Sequence, residues 1–136
     1  MKMKKLLCSF LAILALFVLA PSINARNFLD VRGKKWLDAH ANPALMNVDG
    51  IWYSKNWGEM VLNQAKDGRE VTGNSDGWEI TGVVSGKQLF LLFSGRGGVV
   101  YSAVLTGDGK ASLDGSYANG VMKDNTKGKS LHLMKK

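Results

Sequence analysis

The chain has 136 residues, of which 46% are hydrophobic and 21% charged, with a formal net charge of +7 and a single cysteine. The length suits one domain with one core. A lone cysteine excludes an internal disulfide and a cysteine-based metal centre, and basic residues scattered through turns and strand ends lack the dense patch of a nucleic-acid footprint.

Residues 1–25 read as a signal peptide. Lys2, Lys4 and Lys5 form a basic start, and the apolar run over 6–20 is shorter than a comfortable membrane span. Ile23-Asn24-Ala25 offers a cleavage site after Ala25, and Ala20-Pro21-Ser22 a second after Ser22. Cys8 opens the apolar run, where a lipidated cysteine would follow it. The mature chain would be 111 residues with 15 basic against 11 acidic, net +4, and no cysteine. Stability would then rest on packing and strand pairing, although the export route is oxidising. No later run has spanning length, so a periplasmic or secreted protein is expected.

Residues 26–49 differ in pattern from the remainder of the chain and read as an N-terminal arm. Phe28, Leu29, Trp36 and Leu37 are its apolar residues. Gly33 interrupts a helix, Asn42-Pro43 ends one, and the pattern between them predicts a short helix over 34–41.

From Gly50 onward, short alternating runs are broken by glycine-centred turns, the pattern of an all-β, antiparallel, up-and-down barrel. Strands are predicted at 51–55, 59–65, 69–74, 78–85, 88–94, 99–106 and 110–118, with a short eighth at 121–123 and a last run at 130–134. Asp67-Gly68 suits a tight type I′ hairpin. One phrase recurs, an apolar residue, then Thr or Asp, then Gly: Val71-Thr72-Gly73, Ile80-Thr81-Gly82, Leu105-Thr106-Gly107 and Leu113-Asp114-Gly115.

Alternation assigns faces. Trp52, Met60, Leu62, Val71, Trp78, Ile80, Val84, Leu89, Leu91, Phe93, Tyr101, Ala103, Leu105, Leu113, Tyr117, Leu131 and Leu133 fall inside. Gly73, Gly82 and Gly115 also fall inside, where glycine marks bends or close backbone approach. Phe90, Leu92, Val100 and Val104 form an apolar strip on the outer face. Such a strip needs a cover, from either the arm or a second copy of the chain.

The stretch Gly50, Trp52-Tyr53-Ser54, Gly58, Asp67-Gly68 and Thr72-Gly73 resembles the start of the avidin and streptavidin family, over about 24 residues. The resemblance implies a barrel of avidin- or lipocalin-like shape. It does not carry the biotin site: Glu59 stands where the family has a serine, no tyrosine follows Thr72-Gly73, and no tryptophan follows Trp78. Only Ser54 keeps an equivalent place. A looser likeness is to bacterial periplasmic metalloprotease inhibitors, small eight-stranded barrels with an N-terminal arm that enters the protease cleft. Those usually carry a disulfide, which this chain lacks.

No motif implies a catalyst, a cofactor or a metal. His40 and His132 are far apart, no nucleophile elbow is present, and Gly95-Arg96-Gly97-Gly98 is followed by a strand where a phosphate loop needs a helix. The aromatics remain. Trp52, Trp57, Trp78, Tyr101 and Tyr117 would line one end of the barrel, with Ser54 and Gln64 as polar anchors, or they fill the core. Two functions are consistent with this: a binding protein holding a small apolar or amphiphilic ligand in the barrel mouth, and a protein-interaction module, such as a protease inhibitor or adhesion factor, that uses the arm and the strip.

Overall fold

A computed structural model describes residues 30–123 and 126–136. The signal-peptide assignment and the arm's Phe28 and Leu29 lie outside the described residues. The fold is a closed antiparallel barrel, each strand bonded to the next and the last to the first. Its strands are β1 (Gly50–Ser54), β2 (Gly58–Gln64), β3 (Glu70–Ser75), β4 (Trp78–Ser85), β5 (Gln88–Gly95), β6 (Gly98–Gly107), β7 (Ser112–Asn119) and β8 (Lys129–Lys135), and among the described residues helix α1 (Val31–Asp38) precedes them.

Every side chain assigned inward belongs to one cluster, with Trp78, Tyr101 and Tyr117 partly buried at its margin. The recurrent phrase has a geometric meaning. Its apolar residue and its glycine both point inward, and the glycine lies in a rung between bulky neighbours: Leu62–Gly73–Ile80, Val71–Gly82–Leu91 and Leu105–Gly115–Leu131. A narrow barrel has no room for a side chain on every rung position, and the glycines let neighbouring strands close up.

The 121–123 segment is not a strand. After Gly120 the chain folds across the outside of β6, where the Met122 N–H donates to the Ser102 hydroxyl at 2.9 Å and Val121 joins an outer apolar cluster. The eighth strand is β8 itself. The outer strip also changes by one residue. A bulge between Phe93 and Ser94 pairs Phe93 with Tyr101 but Ser94 with Val99, so Val100 is the extra residue and Val99 takes its place beside Leu92.

The arm covers this strip. Leu37 is buried with Val83, Phe90 and Leu92, while Trp36, Val99, Val104 and Val121 pack around them. The helix begins earlier than expected because Asp30 caps it, its carboxylate accepting the Arg32 N–H at 3.1 Å and the guanidinium at 3.0 Å. Those hydrogen bonds hold the Asp30 carboxyl below the usual range. Gly33 does not interrupt the helix but lies inside it, buried against the sheet. A Cβ there would stand 2.9 Å from Leu92 Cδ1, so glycine permits the close approach. Gly33, Trp36, Leu37 and His40 share the facing side, and the His40 ring stacks on Phe90 at 3.7 Å.

Arg69 fastens the other end. Its guanidinium donates to the carbonyl oxygens of His40 at 2.6 Å and Leu37 at 3.1 Å, the latter also accepting the His40 N–H, and places a cation at the negative end of the helix dipole. Arg69→Ala is expected to cost about 1–2 kcal/mol and to speed amide exchange in residues 31–38. A thermal melt and a hydrogen-exchange map test this together. Unchanged protection in that segment sinks the assignment.

Candidate functional site

The two barrel ends differ. At one end lie the β2–β3, β4–β5 and β6–β7 turns, and residues 42–49 of the arm cross all three. Ala44 bridges Gly86, with Leu45 N–H donating to Gly86 O at 2.9 Å and Gly86 N–H to Pro43 O at 3.0 Å. The Asn42 N–H reaches the Ser85 hydroxyl at 3.0 Å. Asn47 passes so near Gly109 that a Cβ there would meet its carbonyl at 2.3 Å. Met46 and Val48 turn inward and join the core.

Two side chains assigned to ligand binding hold this closure. Gln64 accepts the Val48 N–H at 2.6 Å and donates to Met46 O at 3.0 Å and Gly68 O at 2.6 Å. Trp52 is fully buried, and its indole N–H donates to Val48 O at 2.8 Å. Both therefore have their polar atoms engaged by the chain itself. The alternation Ala44, Met46, Val48 was the sequence signal for this inward segment, and Pro43 masked it as the end of an arm.

The opposite end gathers the other aromatics, so the predicted set divides between the two ends. Trp57, carried by the β1–β2 turn, leans over the barrel with ring centroids 4.5 Å from Phe93, 4.6 Å from Tyr117 and 5.7 Å from Tyr101. Trp78 meets Tyr101 at 5.7 Å. Ser54 is buried, its hydroxyl accepting the N–H groups of Asn56 and Trp57, each at 3.2 Å. It thus sets the turn that aims Trp57 inward. The rings form an edge-to-face cap, and the barrel below is occupied by core side chains.

Of the strip residues, Phe90 and Leu92 are 4% and 0% exposed beneath α1, Val104 packs beside them, and Val100 lies half-buried at the bulge. Trp36 and Leu37 of the arm supply a cover for this strip.

Among the described residues, none covers the outer face around β8 and β1 in this way. Ile51, Tyr53 and Met134 are 42%, 47% and 55% exposed. Tyr53 stands opposite Met134 across the seam. Two polar pairs flank them: a hydrogen bond between His132 and Asp114, directly cross-strand, and the Lys136–Glu59 ion pair at 2.8 Å, which raises the Lys136 pKa. Among the described residues the His132 side chain bonds to Asp114 and to no serine hydroxyl. Among them also, no three His, Cys, Asp or Glu converge as a metal site, and no helix is long and apolar enough to cross a membrane.

No protein-family model matches the chain, and no curated protein is significantly similar to it.

Proposed function

We propose that the chain is an exported, non-enzymatic binding module, periplasmic or secreted, whose partner is a protein met on the outside of the barrel. The observation that carries this reading is the occupancy of the interior. Trp52, Met60, Leu62, Leu91, Leu105 and Leu133 are fully buried within it, Met46 and Val48 fill one end, and Trp57 leans over the other. A container would need that space. An interaction module needs a rigid frame and exposed apolar surface, which Tyr53 and Met134 supply.

One observation favours the small-ligand reading. Trp57, Trp78, Tyr101 and Tyr117 are only half-buried, so a flat amphiphilic molecule could lie on those rings without entering the barrel. Native mass spectrometry of the protein purified from its own host separates the two. The expected result is the bare polypeptide mass, with a protein partner recovered after mild cross-linking. A reproducible extra mass of small-molecule size, lost on Trp57→Ala, would overturn the protein-partner reading in favour of the carrier.

A further inference from the structure

β8 is paired unequally on its two sides. Toward β7 the ladder runs from Lys129 opposite Tyr117 to Met134 opposite Ser112. Toward β1 the partners are only Met134 opposite Tyr53 and Lys135 opposite Trp52, extended by the Lys136 N–H donating to Ile51 O at 2.9 Å. β1 then ends at Ser54, and residues 55–57 turn over the barrel mouth to place Trp57. Among the described residues, the first half of β8 has no strand on that side.

The direction of its free groups comes from alternation. The Lys135 N–H points to β7, donating to Ala111 O at 2.8 Å. In an antiparallel ladder successive residues aim their backbone groups to opposite sides, so those of Leu133 and Leu131 also point to β7. Those of His132 and Ser130 point the other way, into the space β1 has left. Among the described residues no backbone hydrogen bond joins either one to the β1–β2 turn. The space is a groove of about 550 Å³ between Tyr53 and Lys55 on one wall and Ser130, His132 and Met134 on the other.

Resting on the protein-partner reading, we infer that this groove is a strand-addition site that takes an extended, acidic peptide segment of a partner protein along Ser130–His132. Ser130 and His132 each offer one donor and one acceptor, spaced about 7 Å apart, the repeat of alternate residues in an extended chain. Tyr53 and Met134 give an apolar contact beside them. The charge selects the peptide. Lys55 lines the groove, Lys129 opens β8 next to Ser130, and Lys127 lies two residues before it; all three are exposed, and none has an ion-pair partner among the described residues. The nearby carboxylates of Asp114 and Glu59 are already paired with His132 and Lys136. The same lysines would oppose a second copy docking edge to edge, since two basic edges would meet.

The test uses amide exchange read by nuclear magnetic resonance. The probe is a capped heptapeptide alternating glutamate with valine, and the control has lysine in place of glutamate. In the free protein the Ser130 and His132 amides exchange about a hundredfold faster than those of Leu131 and Leu133. The probe slows them and the control does not. Ser130→Pro removes a donor that the β7 ladder does not use and weakens the probe about tenfold. A probe methylated on alternate backbone nitrogens gives the same loss without altering the protein. Equal protection of all four amides in the free protein, a probe that leaves Ser130 and His132 unprotected, or a shift to dimer mass on sizing overturns the inference. A natural partner recovered undiminished with Ser130→Pro overturns this site and leaves the protein-partner reading standing. A small molecule found on the native protein, with the probe still bound at β8, does the reverse.

Discussion

Gly115→Ala is expected to unfold the barrel or to destabilise it by roughly 3–5 kcal/mol, near the upper end of single-substitution effects. A Cβ on Gly115 would lie 1.7 Å from Val104 O, 2.7 Å from Val104 C and 2.8 Å from Leu105 Cα. All three are backbone atoms of β6, so no rotamer change relieves the contact. β6 and β7 would have to separate, yet their ladder runs from Tyr101 opposite Asn119 to Gly107 opposite Leu113. Leu105 and Leu131 flank the rung and are buried at 0% and 2% exposure, so parting the strands also opens the core. Gly120→Ala is the control. Gly120 has φ +65° with nothing within 4 Å of a Cβ, so alanine there carries only the left-handed backbone cost of about 1–2 kcal/mol. Denaturant melts of the two variants decide the matter. If Gly115→Ala melts as late as Gly120→Ala, the close approach of β6 and β7 is not what the glycine serves.

That contrast also bears on what the sequence could disclose. The barrel was legible because strict alternation and glycine turns are local and short-ranged, and the inward set they define lies in the observed core, which Met46 and Val48 of the arm complete. Departures arose where one residue changed the local geometry. The bulge at Phe93/Ser94 exchanged Val100 for Val99 in the outer strip. Gly33, read as a helix breaker, is instead the point where α1 comes nearest the sheet, because tertiary contact outweighs propensity. The candidate site was less legible for a different reason. Trp52, Trp57, Gln64 and Ser54 look alike in sequence as aromatic and polar groups near strand ends. What separates them is which end of the barrel each faces and which backbone group each satisfies, and both are set by residues far along the chain. The groove beside β8 had no sequence signal, since it arises from where β1 stops.

Leu92→Lys is expected to cost roughly 3–5 kcal/mol, because it places an ammonium in an apolar layer without a partner. Leu92 is fully buried although it points out of the barrel, in a rung between Thr81 and Ser102, with Gly33 of α1 directly over it. A lysine stem could carry its charge to water only by lifting the helix. Lifting it exposes Leu37, Val83 and Phe90 and breaks the Trp36 contact with Phe90 at 5.5 Å and both Arg69 bonds to the helix end. Had a second copy covered the strip, Leu92→Lys would instead shift the mass in solution toward monomer. With the arm as the cover, the change appears as lost stability and as lost amide protection in residues 31–38. A double-mutant cycle sharpens the point. In a chain lacking 30–41, Leu92 already meets solvent, so Leu92→Lys should add under about 1 kcal/mol or even restore solubility. Equal costs with and without the helix would mean that Leu92 is held by the barrel alone and that α1 is an ornament on its surface. A much smaller cost without it identifies the arm as a structural part of the domain, closing the outer face of β4, β5 and β6 as its continuation through 42–49 closes one end.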